Sequence, residues 1–261
     1  GNDNLYYEEL VSREGFTHMY TNLYHLRMPT RVREMGEFHP IMLKRGSTTH
    51  RARHIRTANI KSTGNAISSR IALFFNPDLI ISKAHVNDSM EFHYRNGHFD
   101  ELLYIQSGEG TFKSNLGILK FGFGDYIVIP RGVIWQMDVE DECRILVVES
   151  NRPIETPSHY RNKFGQLLEH SPFCERDIRT PELMSPIDKE GEFLVKVRVA
   201  DGIQDMVYAH HPPRRSPSPS RTQATKAHVR LASTHWSSVL LANSAPAAKA
   251  NGIVTATKPS I

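Results

Sequence analysis

The sequence contains no acidic residue after Asp205, no apolar run of membrane-spanning length and only two cysteines, Cys143 and Cys174. A transmembrane helix needs about 20 apolar residues, so we predict no membrane partner. Two cysteines are too few for a disulfide scaffold, and we interpret them as reduced, structural thiols of a cytoplasmic protein. No glycine-rich phosphate loop, nucleophile elbow or Cys-x-x-Cys motif occurs, which removes the usual sequence signatures of nucleotide binding, serine hydrolysis and thiol redox chemistry.

The net charge of +4 is distributed unevenly along the chain. Residues 212–261 contain seven Lys and Arg but no Asp or Glu, which leaves 25 basic against 28 acidic residues in 1–211, a net charge of −3. This mildly acidic part gives no reason to expect a nucleic-acid partner. Residues 212–261 are rich in Pro, Ser and Ala, and two interpretations stay open: a basic, disordered tail, or a terminus read out of frame.

Residues 69–150 carry a β pattern. Short runs rich in Ile, Val, Leu, Phe and Tyr recur there, namely Ile71–Phe75, Leu79–Ser82, Glu101–Gln106, Gly117–Phe121, Tyr126–Ile129 and Arg144–Glu149. Turn residues separate these runs, and strands spaced in this way are typical of an antiparallel sandwich or barrel. The connections are too short for the helical crossovers that parallel strands need.

Two further regions flank this β pattern. Residues 1–68 are polar and only patchily periodic, so we expect an N-terminal extended arm with a helical turn or two at Leu5–Glu14. Residues 151–211 are expected to complete the same domain with flanking strands, among them Glu192–Ala200, and with a short helix at Tyr160–Leu168. The predicted fold class is therefore all-β, with an extended arm and few short helices.

Two motifs lie within the β pattern. Glu101 stands seven positions before Gly108, and Gly124 stands six positions before the turn Pro130-Arg131-Gly132. In a small jelly roll, Gly124 and Asp125 would open a strand that crosses the barrel, and Pro130–Gly132 would turn the chain at its far end. Both spacings resemble those of the cupin superfamily, so we predict a cupin-type jelly-roll β-barrel for residues 69–150.

The metal-ligand positions of such a barrel are depleted in this chain. An active cupin usually carries two His and one Glu in its first motif and one His in its second. Only Glu101 stands where a ligand should, and the second-motif position, three residues after Gly132, is Trp135. An indole is no metal ligand, and we expect it to fill the barrel. We therefore predict a degenerate barrel with no catalytic, cofactor-binding or metal-binding residues.

His93 and His98 are the nearest substitutes for the missing ligands. With Glu101 they would form a two-His, one-carboxylate iron site, as in another cupin-type oxygenase or isomerase. Side chains on a strand alternate between its faces, so two ligands on one strand should be two positions apart. These histidines are five apart and straddle the predicted turn Arg95-Asn96-Gly97. We favour two exposed hairpin histidines and a hydrogen-bonded Glu101, with the metal site as the alternative.

Longer stretches resemble the homogentisate 1,2-dioxygenase family in its shorter bacterial form. They are Leu5–Leu10 with Glu14–Phe16, Tyr94–Gly97 with Asp100–Leu102, Gly124–Gly132, Gly165–Asp177 and Val207–Pro212. Together they cover about residues 5–212. The run GQLLEHSPFCERD at Gly165–Asp177 is the most specific of them.

This resemblance implies an oxidoreductase of tyrosine and phenylalanine catabolism, a two-cupin enzyme that uses Fe(II) and O₂ to open the ring of homogentisate to maleylacetoacetate. In that family the iron ligands and the catalytic histidine belong to the second cupin, while the first is structural and helps to form a trimer or hexamer. The resemblance ends at Pro212, and beyond it His228 and His235 have no Asp or Glu near them. It therefore implies a family member without the catalytic cupin, inactive as this chain stands. The alternative is a non-enzymatic, metal-free cupin that serves as a scaffold or binds a small molecule.

Overall fold

A computed structural model describes residues 6–12, 20–44, 46, 52, 54–163, 165–182, 184 and 187–212. Across these residues, helix is confined to three 3₁₀ turns, at Thr57–Asn59, Ser158–Tyr160 and Glu175–Asp177. The strands are β1 (Tyr7–Ser12), β2 (Tyr20–His25), β3 (Val32–Pro40), β4 (Ile71–Phe75), β5 (Leu79–Val86), β6 (His93–Asn96), β7 (Asp100–Ser107), β8 (Gly110–Ser114), β9 (Gly117–Phe121), β10 (Tyr126–Ile129), β11 (Ile134–Val139), β12 (Cys143–Ser150), β13 (Glu190–Arg198) and β14 (Gly202–His210). None of the described helices is long and apolar enough to cross a membrane.

Two sheets enclose the main core. One has the strand order β10-β7-β12-β5-β4, and the other has the order β3-β14-β13-β6-β11-β8-β9. From β5 to β12 the chain passes back and forth between these sheets, and every neighbouring pair in this stretch is antiparallel. This double-sheet crossing is a jelly roll. The predicted all-β, cupin-type jelly-roll fold is therefore confirmed.

Side-chain alternation explains why these segments became barrel strands. Burial in β5 alternates strictly along its eight residues, and β12 does the same. Strands whose alternate residues are apolar bury one face. Trp135 of β11 sits fully buried in the core, with its ring 5.2 Å from the rings of both Phe112 and Tyr94. The expectation that this indole fills the barrel is confirmed.

The larger sheet extends well beyond the barrel strands. β13 pairs in parallel with β6, β14 pairs with β13, and β3 of the N-terminal arm pairs with β14. A second, smaller core holds this extension on the barrel; it consists of Ile134, Val195, Val197 and Tyr208. Part of the arm is thus a strand of the barrel's own sheet. The first two strands form a separate hairpin.

Two predicted helices are wrong. Within the Leu5–Glu14 segment, Tyr7–Ser12 is a strand, because its backbone pairs residue by residue with β2 and tertiary pairing overrides local propensity. In the Tyr160–Leu168 segment the 3₁₀ turn ends at Tyr160. Gly165 then adopts a φ of +83°, which reverses the chain so that Arg161 bridges to Leu167. The strand expected at Glu192–Ala200 lies at Glu190–Arg198. The tail after Pro212 lies outside the described residues.

Candidate functional site

The inner face of β7 carries the one carboxylate that stands at a cupin ligand position. Glu101 shares this face with Leu103 and Ile105, and its side chain is 0% exposed. Its Oε1 accepts a hydrogen bond from Arg70 Nη1 at 2.6 Å, and its Oε2 accepts one from Trp135 Nε1 at 3.3 Å. Both oxygens are therefore engaged by protein donors, and the expectation of a hydrogen-bonded Glu101 is confirmed.

A second buried carboxylate lies beside the first. Glu149 of β12 is the cross-strand partner of Glu101, so the two side chains leave the sheet on the same face. Glu149 Oε1 accepts a hydrogen bond from Asn96 Nδ2 at 3.0 Å and lies 3.9 Å from Arg70 Nη1 and 3.8 Å from Arg198 Nε. Two guanidinium groups thus balance two carboxylates. We call Arg70, Glu101, Glu149 and Arg198 the Arg–Glu cluster.

Burial sets the protonation behaviour of this cluster. It raises the pKa of Glu149, and the neighbouring Glu101 carboxylate raises it further, against the opposing effects of Arg70 and Arg198. Burial is the largest single effect on Arg70 and would lower its pKa, but Glu101, Tyr94 and Glu149 together outweigh it and leave that pKa above its ordinary value. The pKa of the Tyr94 hydroxyl is raised well above its ordinary value, again chiefly by burial. Glu149 accordingly takes up a proton at a higher pH than an ordinary glutamate does.

A cavity of about 370 Å³ opens onto the cluster. Arg70, Glu149 and Arg198 line it together with Tyr94, and apolar side chains such as Phe92 and Ile203 form other parts of its wall. Strands of both sheets and the segment after β3 contribute to it. Residues of the arm, of β13 and β14 and of both sheets therefore enclose a cavity whose wall combines charged and apolar side chains.

The donor set in this barrel does not fit Fe(II). Among the residues that the structure describes, no group of three or more His, Cys, Asp or Glu is close enough to hold a metal ion. Glu101 stands at a ligand position, but Arg70 Nη1, 2.6 Å away, already neutralises it, and a metal cation beside it would meet a guanidinium instead of a second ligand. Trp135 fills the position of the second-motif histidine with a ring that cannot coordinate.

The structure does not bring His93, His98 and Glu101 together. In β6 it is Tyr94 that faces the barrel, so His93 points to the other side, where its ring lies 5.1 Å from that of His211. His98 packs against Phe99, and burial, helped by two nearby arginines, lowers its pKa. The expectation that both histidines are exposed is wrong: both are half-buried. The ring of His211 shields part of His93, and the ring of Phe99 shields part of His98.

Sequence reasoning missed most of the cluster. Glu149 carried a detectable signal, because it continues the inward alternation of Ile145 and Val147. Arg70 and Arg198 carried none, since one precedes β4 and the other ends β13, and only the fold brings them within 4 Å of the same carboxylate.

Comparison with known proteins gives partial matches. No family model matches the chain. A curated protein of Saccharolobus solfataricus, provisionally named a dioxygenase, is 34% identical over 207 residues, which are 78% of this chain and 53% of the relative. The chain thus spans about half the length of this relative. It combines a cupin-type jelly roll with similarity to a protein that carries a dioxygenase name.

Matches among solved structures are short and share little sequence. A cupin-2 domain protein of Shewanella frigidimarina is 20% identical, with 31% of this chain and 79% of that chain covered and a TM-score of 0.29. The Streptomyces nucleoside dehydratase Pac13 is 19% identical, with 30% and 64% covered and a TM-score of 0.28. A Streptococcus pyogenes protein of unknown function is 15% identical, with 41% and 100% covered and a TM-score of 0.32.

Proposed function

We propose that this chain is the non-catalytic barrel of a homogentisate 1,2-dioxygenase-type protein. The observation that carries the proposal is that both carboxylate oxygens of Glu101 accept hydrogen bonds, one from Arg70 and the other from Trp135, at the place where a catalytic cupin holds its metal. On this proposal, opening of the homogentisate ring to maleylacetoacetate is the activity of the whole protein. Fe(II), the aromatic substrate and the catalytic histidine belong to a second barrel.

Two further observations support this role. The chain is 34% identical over 207 residues to a relative with a dioxygenase name. Cys143 and Cys174 are both free thiols. Free thiols are typical of proteins in the reducing cytoplasm, where such an enzyme would work.

A structural barrel has to offer surface to its neighbours, and two sheet edges of this one do so. β3 and β4 are edge strands of the two sheets. β3 exposes Met35 and Phe38, and β4 exposes Phe74 and Phe75. Unpaired edges with large apolar side chains favour contact with another chain or domain. We assign these edges to contacts with the second barrel and with other subunits of a trimer or hexamer.

Metal analysis of the purified chain tests the non-catalytic role. We expect iron far below one atom per chain after incubation with Fe(II) under anaerobic conditions, and no oxygen uptake with homogentisate. Trp135→His, which restores an imidazole at the ligand position, should still bind no iron, because Arg70 holds the Glu101 carboxylate. Iron near one per chain that is lost in Glu101→Gln would overturn the proposal.

The proposed substrate, homogentisate, and the proposed location of the iron are tested separately on the longer relative. The Saccharolobus protein should consume oxygen when homogentisate is supplied, and the iron should stay bound when the residue aligned with Glu101 is replaced. Oxygen uptake with other aromatic acids but not with homogentisate would refute the substrate, and loss of iron in that variant would refute the assignment of the metal to the other barrel.

A further inference from the structure

The cavity over the Arg–Glu cluster has the features of a ligand site that is independent of any metal. Its volume of about 370 Å³ falls in the range of small-molecule pockets, at roughly 300–1,000 Å³. It also has a few convergent polar groups set in a largely apolar wall, which is the usual composition of such pockets. We propose that this cavity binds a small monocarboxylate with an apolar body, with its carboxylate on Arg198 and Arg70.

The two arginines are the cations that a ligand carboxylate would meet in this cavity. Arg198 Nη1 already donates to the carbonyl oxygens of Val199 and Gly202, so the carboxylate would bind the rest of that guanidinium. Arg198 is only 4% exposed although it lines the cavity, and Arg70 is 11% exposed. Arg70 Nη2 is buried and has no hydrogen-bond partner among the described residues. This atom has no surface exposed to the cavity, so the guanidinium has to turn before a ligand carboxylate can supply the missing acceptor. The fork of a guanidinium matches the geometry of a carboxylate.

The protonation state of Glu149 sets the net charge that a bound anion meets in this site. With this carboxyl ionised, the two arginines are already balanced by Glu101 and Glu149, and a bound carboxylate would be a third anion. With Glu149 protonated, the cluster carries one excess positive charge, which one carboxylate neutralises. Burial already raises the pKa of Glu149, and a bound anion raises it further. Binding therefore favours protonation of Glu149, and affinity falls as the pH rises through its raised pKa.

The other titratable groups around Glu149 do not change this charge balance. The Glu149 carboxyl is surrounded by Arg70, Glu101 and Arg198, which come from three separate segments. Lys196 also lines the cavity, but its Nζ lies 2.8 and 2.9 Å from the two carboxylate oxygens of Asp205. His39, at the same wall, has its Nε2 3.3 Å from Asp205 as well. The cavity also touches Tyr94, whose raised pKa keeps the hydroxyl neutral.

The apolar residues of the cavity wall favour a ligand whose body, apart from the carboxylate, is apolar. Ile41, Ile67, Ile80, Phe92 and Ile203 line it, and none of them offers a side-chain hydrogen bond. A sugar or a phosphate ester would bury unpaired hydroxyl groups or a second charge there, which is costly. An aryl or alkyl body loses no hydrogen bond on this wall and is stabilised by the burial of its apolar surface.

Calorimetric titration of the whole chain tests the site, with phenylacetate and hexanoate as probes and phenylacetamide and inorganic phosphate as controls. We expect one site per chain for the acids and at least about tenfold weaker binding of the amide and of phosphate, because a charge-assisted pair is lost or a second charge is added. No saturable heat with either acid, or equal affinity for phenylacetate and phenylacetamide, would overturn the proposal.

Two matched tryptophan variants locate the site. Ala72 is an exposed residue of β4 that lines this cavity, and Ala58 is an exposed residue that lines a separate surface cavity. Ala72→Trp should weaken phenylacetate binding by at least about tenfold through steric blocking, while Ala58→Trp should leave it unchanged. The same loss in both variants, or in neither, contradicts the assignment.

Glu149→Gln tests the proton. The amide keeps an acceptor for Asn96 but cannot ionise. Wild type should show heats that change with the ionisation enthalpy of the buffer and an affinity that falls as the pH rises through the raised pKa of Glu149, about tenfold per unit at most. The variant should lose both effects and bind phenylacetate more tightly at pH 8. A variant with unchanged proton uptake would refute the role of Glu149, and with it the charge balance on which the site rests.

Discussion

Replacement of Arg70 by methionine should test how far the barrel depends on its buried ion pair. The methionine keeps most of the apolar volume but removes the only guanidinium hydrogen-bonded to Glu101 among the described residues. Glu101 is 0% exposed, so water cannot solvate its charge. The change leaves a buried carboxylate with the Trp135 indole as its remaining donor.

The expected loss follows from that burial. Removing one partner of a buried pair costs about 3–5 kcal/mol. For a domain of this size, 1 kcal/mol shifts the melting temperature by about 2–4 °C, so Arg70→Met should lower it by about 6–20 °C. Glu101→Gln should cost less, about 1–3 kcal/mol, because the amide oxygen still accepts from Trp135 and Arg70 keeps Glu149 as a neighbour at 3.9 Å.

Urea unfolding of the two single variants and the double variant gives the measurement. The double variant should lose less stability than the sum of the singles, by at least about 1 kcal/mol, because the partners act as a unit. Arg144→Met is the control, since its exposed pair with Glu142 contributes little and the unfolding midpoint should not change. A loss below about 1 kcal/mol for Arg70→Met, or strict additivity, would refute the reasoning.

Three more outcomes follow from single positions. Burial raises the pKa of the Cys143 thiol to about 11, so at pH 7.5 a thiol reagent should label exposed Cys174 first and Cys143 only after unfolding; fast labelling of both contradicts this. Gly108 and Gly124 have φ near +86° and +88°, but an added Cβ would meet a backbone carbonyl at 2.5 Å only at Gly108. Gly124→Ala should therefore cost about 1–2 kcal/mol and Gly108→Ala clearly more in urea titrations. Because the pKa of Glu149 is raised in the folded protein, this carboxyl stabilises the fold fully below pH 4.5, and the contribution is lost as the pH rises through the raised value. The urea midpoint of Glu149→Gln should therefore rise relative to the wild-type midpoint over this pH range. A constant difference between the two midpoints would refute the prediction.

The β pattern of the sequence predicted the barrel because its central strands are amphipathic. Ile71–Phe75, Gly117–Phe121 and Tyr126–Ile129 are strands with those same bounds. β6 and β14 were not predicted, since the first reads His-Tyr-Arg-Asn and the second contains Gly, Gln and Asp. Both are placed by main-chain pairing with strands on either side, which leaves no mark in their own side-chain periodicity.

The candidate site could be predicted only in part, for a related reason. Glu101 and Trp135 stand at fixed distances from turn glycines, so the motif spacing placed both of them in the barrel. Arg70 and Arg198 come from segments that meet β7 and β12 only in the folded chain. Charge pairing between distant segments has no period, and single-sequence reasoning therefore has nothing to detect.

The parallel pairing of β6 with β13 fixes the order in which the sheet can be assembled. Val195 lies beside His93, and β14 and β3 can dock only onto a β13 that is already in place. Contacts between residues so far apart in sequence form slowly. The outer three strands should therefore be added last, onto a preformed jelly roll.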